Sequence, residues 1–194
     1  SILPGMEIVP APPTATAAAL TTFRQQLHAT FGSWADALFE LTDATLCASS
    51  PVASVPHLSL EACFRRSHGS LYKALARGHI DTDALRGVLV AHRPEHWPAV
   101  FAVDASTWDR CDAETSPQRG FYYHESKHSA GQPIVAGWSY QWITQLSWAP
   151  DSWTAPIDAR RIPVGADVTD ATATQIRELV DLLDDNDDTG VPLF

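Results

Sequence analysis

The chain has 194 residues, 45% of them hydrophobic, and a formal net charge of −10. This length suits one domain of ordinary size or two small ones, and the apolar fraction is sufficient for a packed core. No apolar stretch approaches the roughly 18 residues of a membrane span, and the N-terminus lacks the features of a secretory signal. Three cysteines without a C-x-x-C pair argue against a disulfide framework and a thiolate zinc site. We therefore expect a soluble protein of the reducing cytoplasm, without a membrane partner.

The beginning of the chain predicts a leader followed by helices. Residues 1–13 contain four prolines and no apolar periodicity, which indicates a flexible leader. Apolar residues then recur at helical spacing over 14–31. Ser33 and Asp36 form a capping-box-like start to a second helix, which ends before Pro51.

Two further helices complete a helical region that we assign to residues 14–95. One is predicted over 67–77 and ends at Gly78, and Asp81 caps the next, which ends near Pro94. A helix pair with a short glycine turn is typical of a DNA-binding helix-turn-helix, but also of helices that only pack together. The sequence leaves both interpretations open. In the first of them, basic side chains of this segment contact DNA, namely Arg65, Arg66, Lys73 and Arg77.

The second half of the chain, residues 96–194, predicts a sheet and one helix. β-branched and aromatic runs predict three strands, at 98–106, 120–124 and 134–146. Short connections favour an antiparallel meander. A helix over 169–183 follows, capped by Thr169 or Asp170, and residues 191–194 are typical of the opening of a fourth strand. The predicted fold class is α/β, of the α+β kind.

The aromatic residues of this half are expected mainly in the core. Strands with period two usually place tryptophans against helices, and five tryptophans fall close together: Trp108, Trp138, Trp142, Trp148 and Trp153. Trp138 and Tyr140 share one face of the third strand. Gly137 lies on the other face, where it permits a close approach of a neighbouring strand.

Asp104 is the most informative residue, because it ends an apolar run that predicts a buried strand. A carboxylate in such a place usually has a partner, often a divalent metal ion. It lies in a V-D-x-S-x-W context, Val103 to Trp108, and further matching segments follow at 115–119, 131–132, 137–140 and 152–155. With these motifs the chain resembles the DDE-type transposases of bacterial insertion sequences (DDE superfamily endonucleases). The resemblance begins near Val9 and is most specific between Val103 and Ala155.

This resemblance implies a ribonuclease-H-like domain that cleaves DNA and transfers strands at transposon ends with Mg²⁺ or Mn²⁺. Asp104 corresponds to the first of the family's three catalytic carboxylates and is thus the expected metal ligand. In the family, the second carboxylate lies on the fourth strand and the third on a later helix, and the chain has no counterpart of either. The resemblance therefore implies the N-terminal part of a nucleoid-associated transposase, truncated before its second catalytic aspartate and inactive alone. An incomplete sheet also predicts self-association.

Other interpretations remain open on the sequence. A non-catalytic DNA-binding or protein-interaction module would keep the helical region and use the sheet as a scaffold. A literal H-E-x-x-H at His124 to His128 matches the zinc-peptidase spacing, but its flanks favour a hairpin tip over the helix that such a site needs. Three acids after the first strand offer a weaker metal site: Asp109, Asp112 and Glu114. Further DNA contacts are predicted at Arg119 and Lys127, near the hairpin tip.

Overall fold

The computed structural model describes residues 14–52, 54–124, 133–150, 152–185 and 192–194. The chain divides into two compact units, Ser1–Val88 and Leu89–Phe194. The described helices are α1 (Thr14–Ala29), α2 (Ala35–Cys47), α3 (Val55–Leu58), α4 (His68–Arg77), α5 (Thr82–Ala91) and α6 (Val168–Asp185). The described strands are β1 (Phe101–Asp109), β2 (Gly120–Tyr123), β3 (Ile134–Leu146) and β4 (Thr154–Ile162). This content confirms the predicted mixed α/β fold, and no helix in the described part of the chain is long and apolar enough to cross a membrane.

The N-terminal unit is built around α2, which contacts α1, α3 and α4. Two small apolar clusters hold these helices together. The first consists of Phe31, Ala37, Leu38 and Ala74. The second consists of Ala44, Leu58, Phe64 and Leu71. Because both clusters take residues from α2 and α4, this helix pair forms the centre of the unit.

The starts of the helices agree only in part with the predicted caps. Trp34, in the left-handed conformation with a φ of 61°, is the N-cap residue of α2 and makes no side-chain capping bond. The Ser33 hydroxyl instead donates to the Arg77 carbonyl at 2.8 Å, which joins the start of α2 to the end of α4. The predicted capping box is therefore wrong. Asp81 does cap α5, since its Oδ1 accepts two backbone N–H groups of the first turn at 3.1 and 2.9 Å.

An ion pair joins α1 to α2. The Arg24 guanidinium donates to both carboxylate oxygens of Asp43, at 2.6 and 2.8 Å. Its Cζ also lies 4.7 Å from the centre of the Phe39 ring. The hydrogen bond from Arg24 holds the pKa of Asp43 below its ordinary value. Because water reaches the Arg24 side chain, which is 41% exposed, we assign the pair no more than about 1 kcal/mol of stability.

β3 is the central strand of the sheet in the C-terminal unit. It pairs antiparallel with β1 along one edge, and with β2 and then β4 along the other. The antiparallel sheet is as predicted, but β4 was not predicted, and β2 lies on the edge of β3 away from β1 instead of between the two. Leu193 forms a parallel bridge with Val100 on the edge of β1 opposite β3. It lies in the segment 191–194, which was predicted as the opening of a further strand.

Helix α6 covers one face of this sheet. The core between them contains Phe101, Ile143, Ile157, Leu179 and Leu183. Asp167 caps α6, since its Oδ1 accepts backbone N–H groups at 2.7 and 3.2 Å, and it replaces the predicted Thr169 or Asp170 in that role. The carbonyl oxygen of Trp108 lies only 2.0 Å from where a β-carbon at Gly137 would be, which confirms the predicted close approach.

The opposite face of the sheet, here called the open face, is rich in exposed aromatic side chains. Strand alternation and register assign to it Asp104, Ser106, Trp108, Phe121, Tyr123, Trp138, Tyr140, Trp142 and Arg161. Trp108 is 62% exposed and Phe121 is 79% exposed. Trp148 and Trp153, which flank the turn before β4, are exposed as well. The expectation that the tryptophans mainly fill the core is therefore wrong, because α6 lies on the other face.

Candidate functional site

Asp104 lies in the middle of β1, on the open face. The register places it opposite Trp142 of β3, and its Oδ1 accepts the backbone N–H of Ala105 at 2.8 Å. The residue is exposed, whereas Phe101 on the other face of the strand is buried. The strand is thus buried on one face only, and Asp104 occupies its accessible face, where a ligand can reach the carboxylate.

Asp104 is not part of a cluster of potential metal ligands in the described part of the chain. Among the described residues, no group of three or more His, Cys, Asp or Glu side chains is placed to hold a metal ion. Mg²⁺ often binds through one or two carboxylates, several waters and a substrate phosphate. Asp104 supplies one exposed carboxylate. It does not meet the requirement of a two-ion site, in which carboxylates hold the ions about 4 Å apart.

The other acids near β1 do not add to this site. Asp109 ends the strand on the covered face, because five positions separate it from Asp104. Asp112 receives two hydrogen bonds from Arg110, at 2.9 and 3.2 Å, which hold the pKa of its carboxyl below the ordinary value. Glu114 is exposed in the loop between β1 and β2. These acids are therefore accounted for by solvent and by a local ion pair.

Arg161 is a residue of the open face that the sequence reasoning missed. It lies in one row across the sheet with Tyr140 and Ser106, the latter two positions along β1 from Asp104. Its guanidinium donates to the Gln118 side chain. The open face thus carries a cation two strands away from the Asp104 carboxylate. The alternation in Thr154–Ile162 could have revealed it, had that segment been predicted as a strand.

The predicted DNA-binding residues of the N-terminal unit differ in their contacts. Lys73 and Arg77 are exposed on α4, four residues apart and so on the same side of the helix. Arg65 is exposed, and its backbone N–H donates to Glu40 at 3.0 Å. The Arg66 guanidinium donates to Asp36 at 3.0 Å and to Glu40 at 3.3 Å. Arg66 is therefore engaged in ion pairs, whereas the side chains of Arg65, Lys73 and Arg77 are exposed.

The pair α4 and α5 does not have the charge pattern of a helix-turn-helix reader. In such readers the N-terminal residues of the second helix enter the major groove. Here the first turn of α5 carries the exposed acids Asp81 and Asp83, which repel phosphate. Arg86, the basic residue of that helix, is 7% exposed and pairs with Asp83. The exposed basic side chains of this helix pair therefore lie on α4 and not on α5.

The remaining predicted contacts lie near the β2–β3 connection. Arg119 donates to the backbone carbonyls of Arg110 and Cys111, both at 3.0 Å, and so braces the preceding loop. Lys127, together with Glu125 and His128 of the H-E-x-x-H pattern, lies outside the described residues. The strand β2 ends directly before His124, as expected for a hairpin and not for a zinc-peptidase helix.

Comparison with known families assigns the chain. No curated protein and no solved structure matches it. The family model described as DDE superfamily endonuclease matches residues 22–193, which include Asp104 and most of each unit. Since the match covers most of the 194 residues, the chain belongs to the DDE superfamily of endonucleases.

Proposed function

We propose that the chain forms part of a bacterial insertion-sequence transposase, with Asp104 as the first metal ligand of its catalytic site. The observation that carries this proposal is the exposed carboxylate of Asp104 in the middle of β1, within the V-D-x-S-x-W context. DDE endonucleases act on DNA and generally use divalent metal ions. The reaction would be cleavage and strand transfer at transposon ends, on DNA of the bacterial nucleoid.

In this function, different residues of the open face would have different roles. Asp104 would hold Mg²⁺, which supplies charge for binding a phosphodiester and for activating an oxygen nucleophile. Arg161 would contact a neighbouring phosphate, because a guanidinium presents several N–H donors to phosphate oxygens. The aromatic side chains of the same face support association between copies of the chain.

The sheet order agrees with the proposal. Leu193 pairs in parallel with Val100, on the edge of β1 that β3 leaves free. The resemblance implies that the second catalytic carboxylate lies on the strand whose opening was predicted at residues 191–194. A single carboxylate cannot arrange two ions, so we propose that the described residues bind metal without cleaving DNA.

Titration with Mn²⁺ by calorimetry tests the role of Asp104. We expect weak binding to the wild-type chain, and a loss of about tenfold or more in affinity for Asp104→Asn, because the amide removes the charged ligand. Asp112→Asn is the matched control, since that carboxylate is paired with Arg110. Equal binding by the wild type and Asp104→Asn would contradict the proposal. Absence of binding in all three proteins would favour a non-catalytic module that binds DNA or protein.

We also propose that Lys73 and Arg77 contact DNA phosphates through the exposed side of α4. The affinity for a mixed-sequence duplex should fall linearly with salt on logarithmic axes. The double variant Lys73→Ala/Arg77→Ala should reduce that slope by roughly two, because each lost phosphate contact removes about one unit. Arg177→Ala, at an exposed arginine of α6, is the control and should leave the slope unchanged. A double variant with the wild-type slope would rule out these contacts.

A further inference from the structure

Two of the three cysteines lie side by side in the N-terminal unit. Cys47 is the last residue of α2, and Cys63 lies in the turn that follows α3. The segment after this turn runs back along α2. Arg65 and Arg66 reach Glu40, and Arg66 also reaches Asp36 one turn earlier. This antiparallel course brings residue 63 to the C-terminal end of α2.

Packing and hydrogen bonding fix the same neighbourhood. Cys63 packs against the apolar cluster that includes Ala44, and Ala48 packs against it too. Ala44 lies in the last turn of α2 and Ala48 is its C-cap residue, so these two residues bracket Cys47. The Cys47 thiol is near enough to the Cys63 thiol to contribute to its raised pKa. A disulfide between them would bring the two Sγ atoms to about 2.05 Å.

We propose that Cys47 and Cys63 form a reversible intramolecular disulfide when the protein meets a low-molecular-weight disulfide oxidant such as oxidised glutathione. The site would be a redox-sensitive link between the end of α2 and the turn after α3. It is independent of the metal and DNA contacts proposed above. The sequence did not indicate this pair, because the number of cysteines is odd and sixteen positions separate Cys47 from Cys63.

The exchange proceeds in two steps. Cys47 is exposed, so its thiolate attacks a sulfur of the oxidant, forms a mixed disulfide and releases one glutathione thiolate. Cys63 then loses its proton to solvent and attacks Sγ of Cys47, which expels the second glutathione. Two protein thiols and one oxidised glutathione thus give one protein disulfide and two reduced glutathiones. Burial, and then the hydrogen bond with Cys47, raise the pKa of the Cys63 thiol, so the second step should accelerate as the pH rises.

The bond would restrain the unfolded chain more than the folded one. It closes the loop between residues 47 and 63, which contains α3, and so lowers the conformational entropy of the unfolded state. In the folded state the linked segments are already in contact. We therefore expect the oxidised protein to unfold at a temperature higher by roughly 10 °C, with full reversal by a dithiol reductant.

Thiol counting and peptide mapping on the folded chain test the proposal. After oxidation with oxidised glutathione and alkylation, we expect the free thiols to fall from three to one, and the intact mass of unalkylated protein to decrease by about 2 Da. Tryptic peptides should contain Cys47 linked to Cys63. Cys111→Ser should form the same link. Cys47→Ser should retain a stable glutathione adduct or a free thiol at Cys63, with no internal link.

Several results would overturn the proposal. One is a stable glutathione adduct on Cys47 in the wild-type protein with no internal link. Another is a link that involves Cys111. Circular dichroism of each serine variant shows whether the helices are intact, and the Cys63→Ser variant provides the reciprocal measurement. If both serine variants are folded and the wild type still keeps three free thiols under oxidant, the thiol pair is not a redox site.

Discussion

Replacement of Gly137 by alanine is expected to destabilise the C-terminal unit by about 3 kcal/mol or more. A β-carbon at this position would lie 2.0 Å from the Trp108 carbonyl oxygen and 3.0 Å from the Asp109 Cα. These are backbone atoms of β1, which cannot move without breaking the pairing between β1 and β3. The same residue pairs with Gly120 of β2 on its other side. The strand therefore has no direction in which to relax.

Urea unfolding, followed by tryptophan fluorescence, measures this effect, because six of the seven tryptophans lie in the C-terminal unit. Gly87→Ala is the control in the N-terminal unit, and its unfolding is followed by circular dichroism. Gly87 lies inside α5, and an added β-carbon there meets nothing within 4 Å. We expect this second change to stabilise the helix by about 0.5–1 kcal/mol, by restricting the unfolded chain. A Gly137→Ala protein within 1 kcal/mol of the wild type would show that the two strands separate more easily than their spacing indicates.

The elements that depend on local signals could be predicted from the sequence. Apolar periodicity and a closing glycine are properties of neighbouring residues, so α1, α4, α5 and α6 were predicted to within a few positions. The segment Thr154–Ile162 was missed because it contains a proline and three charged residues, a composition that local propensity assigns to a loop. It is a strand because Asp158 and Arg160 find partners on α6, which is distant in sequence.

The orientation of the sheet was also beyond local prediction. Alternation correctly indicated that Trp138 and Tyr140 share a face, but it cannot indicate which face a helix will cover. α6 covers the face that carries Ser139, Gln141 and Gln145, all of them buried. From the hydrophobicity of β3 alone, the face with Trp138 and Tyr140 would be expected to lie against the helix. The two glutamines each keep one hydrogen bond there, since Gln141 donates to Thr172 of α6 at 2.8 Å and Gln145 donates to the Pro98 carbonyl at 3.1 Å.

The part of the candidate site that consists of one residue and its neighbours in sequence could be predicted. Asp104 and its flanking motif are contiguous, so the family could be recognised from them, and the role of Asp104 as a metal ligand stays a prediction. The roles of the arginines were not, because they depend on partners far along the chain. Arg66 pairs with acids of α2, and Arg119 with carbonyls of a loop. From charge alone, Arg66 and Arg119 were predicted as DNA contacts in the same way as Lys73, which is exposed on α4.

Replacement of Asp158 by alanine is expected to destabilise the sheet against α6 by about 3 kcal/mol. The Asp158 side chain is 8% exposed, and its Oδ2 accepts hydrogen bonds from Arg160 at 2.9 Å and from Gln175 at 3.0 Å. Gln175 is 1% exposed. Removal of the carboxylate leaves the Gln175 side-chain amide buried without this acceptor. It also deprives the Arg160 guanidinium of the more buried of its two acidic partners. The loss in the free energy of unfolding can be measured by urea denaturation with tryptophan fluorescence.

Glu178→Ala separates this effect from the simple loss of an ion pair. Glu178 binds the same guanidinium, but its side chain is 44% exposed, so solvent screens the pair and replaces it. We expect a cost of less than about 1 kcal/mol for that change. Asp158→Asn should fall between the two, since the amide oxygen can still accept from Gln175 while the charge is lost. If Asp158→Ala and Glu178→Ala cost the same, burial does not set the strength of this network, and β4 is held to α6 by apolar contacts such as Ile157 with Leu179.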